Sequence, residues 1–230
     1  MPLNEIENHP FLNIQEESND FIFENIRTMI IGTFPIYEIT ISNPIINSGV
    51  IKKQEWSQRA YFKYFYGSKK NHFWNILCQF FEIPFPNDIQ ECISILNHNG
   101  VFLTDTITST YRNEFDSADS SLYPIHYNSR ITEYVYGFSQ YDLRTICFTS
   151  DLAKSHFCEI IHCENLGRVQ ELVINGKSIT LKTLPSPAGN GRTVKHYFNT
   201  YPLSPMESQL RSNNQKFANA YRNRVYFESI

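Results

Sequence analysis

Two segments of the chain join a buried-looking strand to a tight turn that could bind a ligand. The first turn is residues 32–35, Gly-Thr-Phe-Pro, where glycine allows close approach to the backbone and phenylalanine could stack on a planar ring. The second is residues 184–190, where Ser186, Asn190 and glycine amides could hold a phosphate or a ring carbonyl. Each turn alone also fits an ordinary loop. Because parallel strands end at a common sheet edge, we predict that both turns build one site.

An aromatic and basic stretch lies between the two turns along the chain. It contains Phe65 and Tyr66, then Lys69 and Lys70, and then Asn71 at the predicted start of a helix. Asparagine is a preferred residue for capping a helix start. Its amide group carries two donors and one acceptor, so it is also suited to positioning water or reading the edge of a base. Both interpretations of this asparagine stay open.

Two acidic residues are candidates for a role near these turns. Asp105 ends a short apolar strand, where a carboxylate is either catalytic or holds the following loop in place. Asp116 lies in the polar loop beyond it and could cap a turn. Taken alone, both positions favour a structural role.

The composition of the chain excludes several classes of protein. It has 230 residues, 41% of them hydrophobic, and a net charge of −3, so it is neither disordered nor strongly basic. Its five cysteines form no Cys-x-x-Cys pair, which argues against a disulfide framework or a zinc site. Residues 1–20 do not resemble a signal peptide, and no apolar run is long enough to span a membrane. We therefore expect reduced thiols and a cytoplasmic protein.

Local clusters of basic residues could contact nucleic acid within this nearly neutral chain. Lys69 and Lys70 form one cluster, and Arg192, Lys195 and His196 form another beside the second turn. Such side chains bind phosphates, which supplies affinity without sequence preference. The competing interpretation is a set of solvated surface charges.

Hydrophobic patterning predicts alternating strands and helices. The predicted strands and hairpin cover residues 28–33, 101–105, 145–149 and 170–184, with a type I′ turn at Asn175-Gly176. The predicted helices cover residues 71–80, 87–97, 129–138, 151–161 and 206–224, with a short one near Thr193. Residues 35–70 and 106–127 are predicted to be long loops. This order predicts a doubly wound, mostly parallel sheet in one domain spanning residues 1–230.

Two motifs of the chain carry a resemblance to a known family. Residues 32–35 have the Gly-x-x-Pro form, and residues 184–187 read Leu-Pro-Ser-Pro. In these motifs the chain resembles the uracil-DNA glycosylase superfamily, whose first motif is of Gly-x-x-Pro type and whose second is commonly His-Pro-Ser-Pro. It is most similar to the hypoxanthine-DNA glycosylase branch and its uncharacterised bacterial relatives.

Further segments of that branch have counterparts here in the same order. Residues 65–74 are similar to its Phe-Tyr-Tyr…Asn-x-Phe-Trp segment. Residues 100–105 match its Gly-Val/Ile-x-Leu-x-Asp strand end, and residues 116–117 match its downstream Asp-Ser. His9-Pro10-Phe11 is also similar to the family. The resemblance spans about residues 8–198.

The resemblance implies an α/β fold, a three-layer α/β/α sandwich with a central, mostly parallel four- to five-stranded sheet. It implies a monofunctional DNA glycosylase that hydrolyses the N-glycosidic bond of a deaminated or otherwise modified base, uracil or hypoxanthine-like, and leaves an abasic site in base excision repair. The implied partner is double-stranded DNA with a flipped base, bound by a monomer. No metal or other cofactor is implied.

The resemblance also implies roles for particular residues. Many members have Asp or Asn inside the first motif to guide water, whereas in the hypoxanthine branch the Asn before x-Phe-Trp takes that role, which implies Asn71 as the catalytic residue. The implied base-binding residues are Gly32, Thr33, Phe34, Tyr66, Ser186 and Asn190. The implied DNA-binding residues are Lys69, Lys70, Arg192, Lys195 and His196, with Asp105 and Asp116 in supporting positions.

Two departures from the family pattern favour an alternative function. Phe34 occupies an inner position of the first motif, and Leu184 replaces the histidine of the second. The alternative is a catalytically weak or inactive module of the same fold that binds modified nucleobases or DNA. An unrelated hydrolase with Ser186 as its nucleophile is disfavoured because no Gly-x-Ser-x-Gly sequence surrounds that serine.

Overall fold

A five-stranded sheet is the centre of this computed structural model, which describes residues 6–35, 61–112, 122–164, 167–188, 194–210 and 213–230. Its strands are β2 (Thr28–Gly32), β3 (Val101–Asp105), β6 (Thr145–Phe148), β7 (Val169–Ile174) and β8 (Lys177–Thr183). Their order across the sheet is β3-β2-β6-β8-β7, and β7 runs antiparallel to β8. The prediction of an α/β fold around a mostly parallel sheet is confirmed, whereas the extent of the domain over residues 1–230 stays a prediction.

The central strands are buried on both faces, which explains their continuous apolar sequences. All five residues of β2 are buried, and its Ile30 lies opposite Leu103 of β3 and Cys147 of β6. These three side chains belong to one core cluster, and the neighbours Met29 and Ile31 belong to a second. Alternate side chains of the sheet therefore contribute to two separate cores.

Helices complete both cores. Within the described residues they are α1 (Phe73–Phe81), α2 (Ile89–His98), α3 (Arg130–Ser139), α4 (Asp151–Ile161), α5 (Pro205–Gln209) and α6 (Asn214–Phe227), with 3₁₀ turns at Phe23–Asn25 and Lys195–Tyr197. Buried side chains of α1, α2 and α6 join the cluster that contains Ile30, and those of α3 and α4 join the cluster that contains Met29. Across the described ranges, no helix is both long and apolar enough to cross a membrane.

The region predicted as a polar loop over residues 106–127 contains strands instead. β4 (Ile107–Arg112) pairs antiparallel with β5 (Leu122–Tyr127), and β1 (Glu7–Asn8) pairs with the other edge of β4. The loop prediction rested on polarity, but threonine, tyrosine and isoleucine also favour extended backbone, and a half-exposed ribbon tolerates polar residues. Residues 113–121, between the two strands, lie outside the described residues.

A buried ion pair connects β1 to β4. Arg112 donates from Nε to Glu7 Oε1 over 3.0 Å and from Nη2 to Glu7 Oε2 over 3.2 Å. The same Nη2 donates to the carbonyl of Pro35 over 2.9 Å. Bidentate geometry and the additional acceptor offset part of the cost of burying both charges. The pair therefore holds the first turn against the second, antiparallel sheet.

The C-terminal region also differs from the prediction, which placed one helix over residues 206–224. The structure has α5 and α6 there, and each begins at its own cap. Ser204 and Glu207 form a capping box at the start of α5, and the side chain of Asn213 accepts a hydrogen bond from the N–H of Lys216 at the start of α6. These side chains satisfy N–H groups that begin a new helix and have no partner inside it.

The hairpin between β7 and β8 follows the prediction from its turn residues. Asn175 and Gly176 have φ values of 51° and 76°. A type I′ turn needs positive φ at both central positions, which asparagine and glycine tolerate better than other residues. The predicted hairpin is therefore confirmed.

One side chain covers the open edge of the main sheet. Gln15 donates to the carbonyl of Val101 over 2.7 Å and accepts from the N–H of Leu103 over 3.1 Å, so its amide group pairs with β3 as a neighbouring strand would. It also donates to Asn97 Oδ1 over 2.9 Å. An open strand edge exposes unpaired backbone groups that invite association with another chain. Gln15 therefore completes the hydrogen bonding of β3 at this point.

Gln15→Ala is expected to lower the free energy of unfolding by about 2–4 kcal/mol, because it leaves buried backbone groups of β3 without partners. Urea denaturation followed by circular dichroism measures this loss. Gln90→Ala is the matched control, since Gln90 is exposed on α2 and alanine favours a helix. A loss at Gln15 no larger than at Gln90 would contradict the role given to this side chain.

Candidate functional site

A cavity of about 170 Å³ lies at the edge of the sheet where β2, β3, β6 and β8 end. This volume is roughly ten times what one water molecule needs, so the cavity can hold a small ligand. It is lined by seven residues singled out in the sequence, namely Gly32, Thr33, Phe34, Tyr66, Asn71, Asp105 and Ser186. The other lining residues are Pro35, Phe65, Ser68, Thr149, Ser150, Pro187 and Ala188. The two turns thus meet at one sheet edge.

Gly32 forms a tight floor for the cavity. It lies opposite Asp105 in the register of β2 and β3. A β-carbon at this position would lie 2.3 Å from Asp105 Oδ1 and 2.6 Å from the Tyr66 hydroxyl oxygen. Both distances are far below van der Waals contact. Glycine is therefore required here because two polar atoms converge over its Cα.

A buried histidine holds the carboxylate of Asp105. His9 Nε2 lies 2.9 Å from Asp105 Oδ2, and the two side chains are 0% and 5% exposed. The backbone N–H of Phe11 donates to His9 Nδ1 over 3.1 Å, so the proton of the neutral ring is on Nε2. His9 therefore donates its Nε2–H to Oδ2 of Asp105. The second oxygen, Oδ1, is left beside Gly32 at the cavity.

The second sheet brings these two residues together from positions 96 apart in the chain. His9 directly follows β1, and its N–H donates to the carbonyl of Thr108 in β4 over 2.8 Å. β4 itself begins two residues after Asp105. Pairing of β1 with β4 therefore places the imidazole against the end of β3.

Phe34 presents its ring to the cavity from the first turn. The ring of His9 meets it edge-on, with 5.5 Å between centroids and an interplanar angle of 88°. The guanidinium of Arg112 lies 5.8 Å from its centroid. Edge-to-face and cation contacts are both attractive to an aromatic ring. Phe34 is therefore held in one orientation and is 7% exposed.

Tyr66 also lines the cavity and has an uncommon backbone conformation. Its φ is 56°, in the left-handed region that costs energy for a residue with a β-carbon. Its ring lies 4.4 Å from that of Phe73, and its hydroxyl lies 3.4 Å from Thr149 Oγ1. Backbone strain retained at a cavity is a signature of functional sites.

Asn71 has features of both roles considered for it. Its Oδ1 accepts the N–H of Phe73 over 2.9 Å, so Asn71, one residue before the N-cap His72, satisfies a donor at the start of α1. The residue is 9% exposed and lines the cavity. Within the described residues, its Nδ2 group donates to no protein acceptor. The oxygen therefore serves the helix, and the amide nitrogen is available to a ligand.

The second turn is anchored from outside through its carbonyl groups. The carbonyls of Pro185, Ser186 and Pro187 accept hydrogen bonds from the Tyr226 hydroxyl over 3.2 Å, from Arg222 Nε over 2.8 Å and from the N–H of His72 over 3.1 Å. Just before the turn, the carbonyl of Thr183 at the end of β8 accepts from the Tyr201 hydroxyl over 3.2 Å. The Ser186 hydroxyl accepts the N–H of Ala188 over 3.3 Å. The backbone of this turn is therefore fixed by α6 and the start of α1, and Tyr201 fixes the strand end before it.

A buried positive charge lies behind the second turn. Arg222 is 0% exposed, and burial lowers the pKa of its guanidinium, although arginine stays charged at ordinary pH. Burial, and then the charge of Arg222, lower the pKa of His72 below its usual value, so that imidazole is neutral at pH 7. The cavity therefore has the Asp105 carboxylate on one strand end and a guanidinium beyond the second turn.

Those predicted DNA-binding residues that the structure describes lie outside this cavity. Lys69, Lys70, Lys195 and His196 are exposed, and none of the four lines the cavity. Arg168 donates to the carbonyl of His196 and so fixes its backbone. The other predicted site residues, Asn190, Arg192 and Asp116, lie outside the described residues.

Sequence reasoning missed several residues of the site. Local sequence pattern assigns no role to His9, Thr149 or Ser150. The position of Thr149 and Ser150 after an apolar strand was an available signal, since polar residues at a parallel strand's carboxyl end point to a site. No comparable local signal existed for His9, because its strand β1 has two residues.

The arrangement combines a carboxylate acceptor, an amide donor and a fixed backbone loop around a small space between aromatic rings. Such a cavity can bind a flat polar ring and supply a proton acceptor to water. Among the described residues, no group of three or more His, Cys, Asp or Glu side chains could hold a metal ion. No protein-family model matches the chain, and no curated protein matches it.

Proposed function

We propose that this protein is a DNA glycosylase that hydrolyses the N-glycosidic bond of a deaminated or otherwise modified base. The observation that carries the proposal is the cavity itself, where the Asp105 carboxylate, the Asn71 amide and the second turn meet beside Phe34 and Tyr66. The resemblance of the ordered motifs to the uracil-DNA glycosylase superfamily supports the same reaction. The base would be uracil or hypoxanthine-like.

A base enters such a cavity only after leaving the DNA stack. Extrusion costs a few kcal/mol and is cheapest for a mispaired or damaged base. The ring of Phe34 would stack on the flipped base, since aromatic faces bind any base through its π-system. Donors around Ser186 would bind the carbonyl of the base. The small volume supports a single base as the occupant.

Hydrolysis needs a water molecule held beneath C1′ of the sugar. Asp105 is the one carboxylate among the described lining residues, so it would accept the proton of that water. Asn71 would orient the same water through its Nδ2 group. The oxygen of water forms a bond to C1′, the bond from C1′ to the base breaks, and the base leaves with the electron pair. The abasic sugar keeps the hydroxyl group, and the base later takes a proton from solvent.

The proposal also covers the binding partner, the fold and the oligomeric state of the protein. Lys69, Lys70, Lys195 and His196 are exposed, which suits contacts with the phosphates of double-stranded DNA. The two core clusters on alternate faces of the sheet support a three-layer α/β/α sandwich. We propose that the protein acts as a monomer in the cytoplasm, without a metal or other cofactor.

A cleavage panel tests the proposed function. Purified protein is incubated with duplexes that carry uracil, hypoxanthine, xanthine or an alkylated base at one position, and abasic sites are revealed by alkali. Strand scission at one or more modified bases, with none at normal bases, is the expected result. Failure to cleave any of these duplexes would refute the proposed glycosylase activity.

The cap and the water-orienting role of Asn71 are separable by mutation. Asn71→Asp keeps an oxygen for the N–H of Phe73 but removes the amide donor, so we expect normal folding and roughly 10²-fold slower cleavage. Asn71→Ala is expected to cleave as slowly as Asn71→Asp and, in addition, to lose about 1 kcal/mol of stability. Single-turnover cleavage and urea denaturation measure the two effects.

Asn213→Ala is the matched control for the cap of Asn71. Asn213 caps α6 through the N–H of Lys216 and does not line the cavity. The Asn213→Ala variant is expected to lose about as much stability as Asn71→Ala and to cleave at the wild-type rate. Wild-type cleavage by Asn71→Asp would restrict Asn71 to capping.

A second candidate function is a module of the same fold that binds modified bases without cleaving them. The observation that favours it is Leu184, which stands at the histidine position of the resembled motif and is fully buried in the core. Fluorescence anisotropy with abasic and base-modified duplexes, run beside the cleavage panel, separates the two. Selective binding without scission would favour the module.

A further inference from the structure

Helix α6 presents two donors to two consecutive carbonyls of the second turn. Arg222 and Tyr226 are four residues apart and therefore lie on one face of the helix. Tyr226 donates its hydroxyl to Pro185, and Arg222 donates Nε to Ser186. Both side chains are 0% exposed. The carbonyl side of this turn therefore faces the interior of the protein.

The orientation of one N–H group follows from these contacts. The carbonyl of Pro185 and the N–H of Ser186 belong to one peptide group, which is trans. In a trans peptide the C=O and N–H bonds point in opposite directions. Because the carbonyl points to the buried Tyr226, the N–H of Ser186 points away from α6. Ser186 lines the cavity. Its N–H has no protein partner within the described residues.

We propose that Tyr226 and Arg222 are positioning residues that hold the N–H of Ser186 as a fixed donor for the carbonyl of the departing base. The inference deepens the proposed function and rests on it for the identity of the ligand. It assigns to α6 a role in stabilising the leaving group. Both side chains act through the peptide of Ser186 and touch no substrate themselves.

The chemistry of the leaving group gives this arrangement its effect. A base that departs with the bonding electrons carries negative charge on its ring nitrogens and carbonyls. A preorganised donor stabilises such charge more than water does, because it does not have to reorient during the reaction. The hydroxyl of Tyr226 also polarises the peptide whose N–H is used. The guanidinium of Arg222 adds a positive charge behind the turn, and its influence extends to His72.

Tyr226→Phe tests the inference by removing one oxygen atom. We expect cleavage to slow about tenfold for uracil in DNA, a fraction of the loss seen when such a donor is deleted outright. For 5-fluorouracil, whose anion is more stable, the slowing should be smaller. Single-turnover rates give the ratio of the wild-type rate to the variant rate for each of the two duplexes. A general loss of structure would slow cleavage of both duplexes equally, so it would not produce this dependence on the leaving group.

Tyr221→Phe is the matched control. Tyr221 lies on the same helix, is equally buried, and donates its hydroxyl to the carbonyl of Tyr201 rather than to the turn. Removal of the Tyr221 hydroxyl should slow cleavage of both duplexes equally or not at all. Arg222→Met should show the same leaving-group dependence as Tyr226→Phe, and Arg222→Lys should restore part of the rate through its charge and single donor group. Equal slowing of both duplexes by Tyr226→Phe would overturn the inference.

A binding measurement separates failure of this inference from failure of the proposed hydrolysis. Free 5-fluorouracil is titrated into the wild-type protein and into Tyr226→Phe at pH values where the free base is neutral or anionic. Tighter binding of the anion by the wild type, weakened in Tyr226→Phe, supports the donor even if no duplex is cleaved, in which case only the hydrolysis is refuted. Identical binding by the two proteins, or no binding of the free base by either, would overturn the inference.

Discussion

Asp105→Asn is expected to slow cleavage of the modified base by roughly 10²- to 10⁴-fold, the usual contribution of a general base. Asparagine has nearly the same shape, and its Oδ1 can still accept the Nε2–H of His9, so the end of β3 should keep its structure. What is lost is the group that takes a proton from water. Single-turnover cleavage of the best duplex from the panel measures the change.

Two measurements make this result specific to the cavity. Asp20→Asn is the control, because Asp20 is an exposed carboxylate that does not line the cavity. It should cleave at the wild-type rate. Asp105→Asn should still bind the duplex, since the stacking ring and the second turn are unchanged. A rate within about threefold of wild type would remove Asp105 from the role of base, because such a role contributes far more.

Gly32→Ala is expected to have the second largest effect, through sterics rather than chemistry. The new β-carbon would lie 2.3 Å from Asp105 Oδ1 and 2.6 Å from the Tyr66 hydroxyl. Relief requires a shift of the carboxylate or of the ring, because β2 is buried and central in the sheet. We expect a loss of about 1–3 kcal/mol in stability. Displacement of reactive groups by about 1 Å can cost 10²-fold in rate, and we expect a loss of at least that order.

The glycine experiment has a control in the β7–β8 turn. Gly176→Asn introduces a larger side chain where a β-carbon would meet nothing within 4 Å, and asparagine tolerates the positive φ there. Urea denaturation and single-turnover cleavage should therefore give nearly wild-type values. Wild-type cleavage by Gly32→Ala would mean that the position of Asp105 and Tyr66 over this glycine is not needed for the reaction.

Local pattern was sufficient for the main sheet and most helices. Continuous apolar runs predicted β2, β3 and β6, and α4 has the bounds that the hydrophobic pattern predicted. The pattern failed where polar residues form strands, as in β4 and β5. It also failed at residues 206–224, where capping at Asn213 starts a new helix that apolar spacing alone does not reveal.

The candidate site was predicted in part for the same reason. Residues that follow buried strands, such as Gly32, Asp105 and Ser186, can be found because strand ends are visible in sequence and share one edge of the sheet. Asn71 was found through its place at a helix start. His9 was not assigned a role, because nothing in a two-residue strand shows which partner it pairs with.

By itself, the sequence determined which residues could reach one cavity: two turns after apolar strands, with Asn71 and Asp105 at the ends of further elements. Only the tertiary structure decided how their polar atoms are used. The bond between His9 and Asp105 joins positions 96 apart, and that between Tyr226 and Pro185 joins positions 41 apart. Side-chain periodicity carries no information on contacts at such separations, because they depend on the pairing of strands and the packing of helices rather than on neighbouring residues.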